Sequence, residues 1–185
     1  MGVHTGGWRA QGVRVTEPIS DGVADWSREA LRRGEWNPGK RLLASLRDYQ
    51  RHVQRPGTFA LFFKRLAVLR HRFWSAVSGA DIPLNAQIGG GLLLPHPNGV
   101  VIHPDARIGP NCLIFQQVTL GTRGDGRAPV LQGHVDVGAG AKLLGGITVG
   151  ARAVVGANAV VLADVPPGAV AVGIPAKILD SNARG

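Results

Sequence analysis

Residues 136–165 read DVGAGAKLLGGITVGARAVVGANAVVLADV. An aliphatic residue returns there at every sixth position: Val137, Leu143, Val149, Val155 and Val161. Four places after most of them stands a small or β-branched residue, at Ala141, Ala153, Ala159 and Val165. A period of six fits neither the 3.6 of a helix nor the strict alternation of a half-buried strand. It fits a short strand and a tight corner, repeated, with three corners closing a triangular coil of about 18 residues.

Working outward, the same period extends back to Asp81. Ile82, Ile88 and Leu94 form one run, and Ile102, Ile108, Ile114 and Leu120 another, with Ala86, Cys112 and Val118 at the small position. Gly follows the aliphatic residue at 89, 109, 138, 150 and 156, where a corner needs permissive backbone. Stacked coils bury like residues above like in continuous ladders. The expected fold is mainly β: a parallel β-helix over residues 81–185, preceded by a short α-helical region over residues 1–80. Cys112 occupies an inward position and reads as a buried structural thiol.

Two breaks interrupt the repeat, and breaks of this kind map to loops that carry function. Leu94 to Ile102 gains two residues around Pro95-His96-Pro97-Asn98-Gly99. Leu120 to Val137 contains a longer polar excursion through Gly121-Thr122-Arg123-Gly124-Asp125-Gly126-Arg127. Both are expected to project from the prism and to meet at one site.

Before Asp81 the pattern is helical. One helix is expected over about 40–54, with Leu42, Leu43, Leu46 and Tyr49 on one stripe and Pro56 and Gly57 after its end. A second is expected over about 58–77, with Phe59, Phe62, Phe63, Leu66, Leu69, Phe73 and Val77 at three- and four-residue spacings and basic residues opposite. A basic amphipathic helix suits a membrane surface, but an aromatic stripe at this spacing is expected to pack on protein. Residues 1 to about 20 lack periodicity and read as poorly ordered.

The 185 residues include 44% apolar but only 5% aromatic side chains, and 27 Gly, which favours a core of small aliphatics. The net charge of +9 is uneven: residues 1–80 hold 14 Lys/Arg against 6 Asp/Glu, and residues 81–185 hold 7 against 6. The basic excess reads as a solvated helix face, with no nucleic-acid partner expected. One cysteine excludes a disulfide framework. No stretch has the apolar length of a membrane span and no signal segment is seen at the start, so a cytoplasmic location is expected.

The segments LLLPHPNG (92–99), QQVTLGT (116–122), VDVGAGAKLLGGITVG (135–150) and AVAVGIPAKIL (169–179), in this order, resemble the serine O-acetyltransferases of the hexapeptide-repeat acyltransferase superfamily. The resemblance covers residues 81 to about 179, and the preceding helices resemble the N-terminal part of that family's short members. It implies a left-handed coil and a homotrimer, which in the family can pair into a dimer of trimers, with acetyl-CoA lying between adjacent subunits and no metal. His96 matches the catalytic histidine and Asp81 the aspartate that orients it. Gly121 and Thr122 match the segment beside the acetyl group. Ala139 and Ala157 match small residues along the pantetheine arm, and Lys177 a basic position near the nucleotide.

The chemistry of the His96–Asp81 pair stands on its own terms. A hydroxyl attacks a thioester poorly without a base, and imidazole, with an ordinary pKa of about 6.5, can take its proton. A carboxylate on the other ring nitrogen selects the tautomer and stabilises the imidazolium. His103 and His134 are weaker candidates. A zinc site like that of the carbonic anhydrases built on this coil is disfavoured, since only Gly133-His134 matches and Ala139 stands where a further histidine is required. His4, His52 and His71 lie outside the repeat and read as surface residues.

The chain departs from the family pattern around the acceptor. Pro95 replaces an aspartate before the histidine, and Arg127-Ala128 replaces an Arg-His pair in a loop that is also shorter. Arg127 remains able to clamp a carboxylate. The expected activity is transfer of acetyl to the hydroxyl of serine or a related hydroxy amino acid. A sugar or specialised-metabolite hydroxyl or amine, and a non-catalytic scaffold, stay open as alternatives.

Overall fold

The computed structural model describes residues 22–53 and 57–179. The expectation for residues 1 to about 20 falls outside that range, as do His4, Gln54 and Pro56. After a single 3-10 turn at Trp26–Arg28 come two helices, α1 (Pro38–Val53) and α2 (Thr58–Ser78), close to their expected bounds. Short strands follow: β1 (Gln87–Ile88), β2 (Val101–Ile102), β3 (Arg107–Ile108), β4 (Leu113–Ile114), β5 (Thr119–Gly121) and β6 (Val130–Leu131). Then come β7 (Asp136–Val137), β8 (Lys142–Leu144), β9 (Thr148–Val149), β10 (Val154–Val155), β11 (Val160–Val161), β12 (Val170–Val172) and β13 (Lys177–Leu179).

Successive strands pass to different sheets, which is how a period of six becomes a prism. Face I stacks β1-β3-β6-β9, face II stacks β4-β7-β10-β12, and face III stacks β2-β5-β8-β11, all parallel. β13 turns back antiparallel along β12 and closes the last coil on face II. Registers place like over like: Ile102 on Leu120, Leu143 and Val161 down face III, and Ile114 on Val137 and Val155 down face II. Every residue of both inward series is buried. Cys112 is among them; burial pushes its thiol up to about 11, and Sγ donates to the Gln132 carbonyl at 3.2 Å.

Corners at the I–II edge adopt left-handed backbone at Asn111, His134 and Arg152, and those at the II–III edge at Gln117 and Asn158. One coil's corner hydrogen-bonds the next, as where Asn158 N–H donates to the Ala139 carbonyl at 2.8 Å.

The helices close the open first coil. Leu42, Leu43 and Leu46 of α1 belong to the same buried cluster as Ile82 and Leu94. The approach is close enough that a Cβ on Gly39 would stand 2.6 Å from the Leu94 carbonyl oxygen, so only glycine fits. Gly79, with φ 67°, ends α2 in the left-handed region and turns the chain into the coil.

One contact corrects the sequence reading of this region. His71 is buried rather than superficial: one ring nitrogen meets Ser45 Oγ at 3.2 Å and the other the Ile82 carbonyl at 2.8 Å. It ties α2 to α1 and to the first coil. The aromatic stripe of α2, expected to pack on protein, is not covered within this chain; Phe59 is 81% exposed and Phe62 62%. α2 instead buries the narrow edge of Ala67, His71 and Ser78.

A segment before α1 straps the prism. Asn111 accepts from Asp25 N–H and donates to the Val23 carbonyl, both at 2.7 Å. Glu29 takes two bonds from Arg47, whose guanidinium also donates to the Ile88 and Gly89 carbonyls and lies 5.2 Å from the Trp26 ring. This ion pair is largely buried, and its extra hydrogen bonds to backbone carbonyls satisfy the guanidinium, the condition for a buried charge to be tolerated.

Candidate active site

The inserted loop 95–99 sits at the first corner of the II–III edge. Leu94 and Val100 on either side point inward and are buried, so the two extra residues have nowhere to go but outward. The base of the loop is held from both sides: Gly99 N–H donates to the Gly79 carbonyl at 2.7 Å, and Gln117 N–H to the Asn98 carbonyl at 2.9 Å. His96 is exposed at its tip.

Asp81 enters from the start of the coil. Its N–H donates to the Val100 carbonyl and its own carbonyl accepts from Ile102 N–H, so it bridges Val101 at the top of face III. The stacking therefore brings Asp81 beside the root of the His96 loop. Both side chains are exposed, and neither makes a hydrogen bond among the described residues.

Below this loop the II–III edge continues as a line of corners. Gln116 and Gln117 come next, then Ala139 and Gly140, then Ala157 and Asn158, and finally the 173–176 turn that leads into β13 and Lys177. Ala139 and Ala157 stand one coil apart, and no large side chain projects at either place. Lys142, on face III beside this edge, donates through Nζ to the Gln117 carbonyl at 2.5 Å and to Thr119 Oγ1 at 3.2 Å. The repeat pattern gives Lys142 no distinction from any other outward residue.

The excursion occupies a different edge. Gly121 ends β5 in register with Leu144 of β8, and its carbonyl accepts from Gly145 N–H at 3.0 Å. Thr122 follows, exposed, and the loop returns at buried Ala128. Within it, Gly126 N–H donates to the Arg123 carbonyl at 2.7 Å. Arg127 N–H donates to Asp125 Oδ1 at 3.0 Å and its Nε to Oδ2 at 2.6 Å. This side-chain turn holds the Asp125 carboxyl below its ordinary range, through the Arg127 guanidinium and backbone N–H. The sequence signal for Asp125 is local: in Asp-Gly-Arg an aspartate caps its own turn. A cleft of about 440 Å³ opens here, walled by Arg123, Asp125, Arg127, Leu144, Ile147 and Asp164.

The candidates thus fall into two groups. His96, Ala139 and Ala157 stand on the II–III edge, with Asp81 beside it at the top of face III and Lys177 beside it on face II; Gly121, Thr122 and Arg127 belong to the III–I edge, with face III between the two groups. The expectation that the two loops meet is not met within one chain, because a prism face separates consecutive corners. His103 forms its own local contact, with Nδ1 at 3.2 Å from Asp105 N, and His134 Nε2 lies 3.3 Å from Asn111 Nδ2.

A triangular coil of hexapeptide repeats broken by a histidine-bearing loop and a polar excursion places the chain in the hexapeptide-repeat class. Comparison with known proteins narrows this. The chain is 43% identical to the serine acetyltransferase of Helicobacter pylori over 142 residues, 69% of this chain and 83% of that protein. It is 41% identical to that of Mycobacterium tuberculosis over 120 residues, 63% of this chain and 52% of that one. Soybean serine acetyltransferase, solved with serine, superposes with a TM-score of 0.65 at 38% identity, covering 77% of this chain and 57% of that one. A serine acetyltransferase solved with CoA gives 0.64 at 37% identity, covering 78% and 58%. No protein-family model matches the chain. The chain belongs to the serine acetyltransferase family, and its coil is that family's left-handed parallel β-helix. It spans most of the Helicobacter protein but only about half of several longer relatives.

Proposed function

We propose that this protein transfers acetyl from acetyl-CoA to the hydroxyl of serine or a closely related hydroxy amino acid, with His96 as general base. The observation that carries the proposal is the II–III edge itself. It sets an exposed histidine at the head of a line of corners that carries Ala139 and Ala157 and ends beside a lysine, the layout a long thin pantetheine chain with a phosphorylated end needs. Membership of the family agrees with it.

In this reading the neutral imidazole of His96 accepts the acceptor's hydroxyl proton as the oxygen bonds to the thioester carbonyl carbon. Asp81, entering beside the loop's root, orients the ring and stabilises the imidazolium. Backbone N–H groups near Gly121 and Thr122 receive the developing oxyanion. When the C–S bond breaks, the imidazolium returns the proton to the departing thiolate, leaving free CoA and the O-acetyl ester. Ala139 and Ala157 keep the groove open, and Lys177 meets phosphate charge.

Because His96 and Gly121 lie on different edges, the complete site requires the II–III edge of one chain to face the III–I edge of another. A closed ring of such head-to-tail contacts is a cyclic oligomer, and three copies is the number the family resemblance implies. The soluble, cytoplasmic trimer is part of this proposal. Among the described residues no helix is long and apolar enough to cross a membrane.

A second reading, a sugar hydroxyl as acceptor, is favoured by Pro95 and Ala128 at the two acceptor positions and by Asp125 already holding Arg127. Measuring CoA release across serine, homoserine, threonine and a panel of hexoses decides between them. Turnover with serine supports the first reading, and turnover with hexoses alone overturns it.

A further inference from the structure

Within a single chain the uncovered face of α2 runs from Phe59 to Val77 and is exposed along its whole length, from 41% at Val77 to 81% at Phe59. At its C-terminal end the patch continues through Phe73 and Trp74 to Trp36, itself 71% exposed and edge-to-face with Trp74 at 5.6 Å. An apolar strip of this extent on a water-facing helix marks an interaction surface.

The charges beside it say what covers it. α2 carries Lys64, Arg65, Arg70 and Arg72 and not one acidic residue. Arg65 and Arg72 are exposed along one border of the strip and make no hydrogen bond or ion pair among the described residues. Arg70, on the other border, is paired with Asp48 but still 43% exposed. A second copy laid face to face would set these arginines against the same arginines, with no carboxylate on either helix to neutralise them. An uncharged apolar partner would leave them unmatched. A surface that is apolar within and anionic at its rim satisfies both features at once.

We propose that α2 docks in the plane of an anionic lipid bilayer, its phenylalanine and leucine side chains entering the acyl boundary and Arg65, Arg70 and Arg72 meeting lipid phosphates. Arginine stems span the few ångströms between the two levels, and Trp36 and Trp74 sit where amphipathic rings concentrate at such interfaces. α1 holds α2 at the capped end of the prism, where Gly79, the residue after α2, accepts from Gly99 N–H of the His96 loop. An enzyme placed this way would work on acceptors at or near the bilayer.

The test is co-sedimentation of the full chain with vesicles of phosphatidylcholine alone or containing roughly 30% phosphatidylglycerol, at about 0.1 M salt. The expected result is binding to the anionic vesicles, at least about tenfold weaker binding to the neutral ones, and loss of binding as salt rises. The double variant Phe62→Glu/Leu69→Glu should abolish binding, and Arg65→Gln/Arg72→Gln should weaken it several-fold while flattening the salt dependence. The glutamine pair, which removes no packed side chain, decides the matter if the glutamate pair misfolds. The proposal is overturned if the chain binds neither vesicle or binds both equally. It is also overturned if the glutamate pair halves the particle mass in the absence of lipid, which would assign the strip to a second copy.

Discussion

Arg127 Nε donates to Asp125 Oδ2 at 2.6 Å across the single glycine between them. The only arginine in the second half of the excursion is therefore not a free cation. Its Nη groups remain to meet an incoming carboxylate, but that carboxylate would have to share the guanidinium with Asp125. The pair is solvent-exposed, so the gain from either partner is moderate. If the acceptor is an amino acid, Arg127→Ala should raise KM for serine roughly tenfold with little change in kcat. Asp125→Asn should lower it, because the guanidinium is released. Steady-state kinetics with serine and ethanolamine check both. Equal use of the two acceptors by the parent protein would show that Arg127 reads no carboxylate.

His96 and Asp81 act at the other edge. His96→Asn should lower turnover roughly 10²–10⁴-fold, the ordinary range for loss of a general base, while leaving CoA affinity nearly intact. Asp81→Asn should cost less, because the loop is already fixed by its bonds to Gly79 and Gln117. Turnover and CoA titration on the two variants give the comparison. Near-normal turnover by folded His96→Asn protein removes His96 from the role.

The coil was legible because its cause is local. Each aliphatic residue at the sixth position returns to the interior whatever the rest of the chain does, and the register ladders follow from stacking. The His96 loop and the excursion were legible as breaks for the same reason. What could not be read depends on distant partners. Nothing near His71 in the sequence announces Ser45 or the Ile82 carbonyl, and nothing near Arg47 announces Glu29. The periodicity of α2 shows an apolar face but is silent on which side the protein covers. The assignment of the two breaks to different edges needed the count of corners between them, which the shared polarity of the loops obscured.

His71 has a consequence for stability. Burial lowers the pKa of its imidazole below the ordinary value of about 6.5, against the opposing effects of the Ile82 carbonyl and Asp81. With the folded value below the unfolded one, the unfolded chain binds more protons between the two. The stability His71 contributes is thus complete above about pH 6.5 and is lost as the pH falls from there through the folded value. The melting temperature should drop between pH 7.5 and pH 5.5, and His71→Gln, which retains a donor and an acceptor but does not titrate, should show a smaller drop. An identical drop in both proteins would place the sensitive group elsewhere.

The separation of the two edges permits a direct test of a site shared between chains. His96→Asn disables the II–III edge of its own chain and leaves its III–I edge intact. Thr122→Trp, at an exposed position just after β5, should obstruct the III–I edge and leave the II–III edge intact. Each variant alone should be nearly inactive. In mixed trimers formed by co-expression in equal amounts, an interface is intact only where a Thr122→Trp chain presents His96 to the excursion of a His96→Asn chain. Random assembly into head-to-tail rings makes about one interface in four of this kind, so about a quarter of the parent activity should return. Mixing the purified homotrimers without dissociation should restore none. If co-expressed, demonstrably mixed trimers remain as inactive as the single variants, each chain must complete its own site, and the placement of Gly121 and Thr122 opposite a neighbour's His96 is wrong.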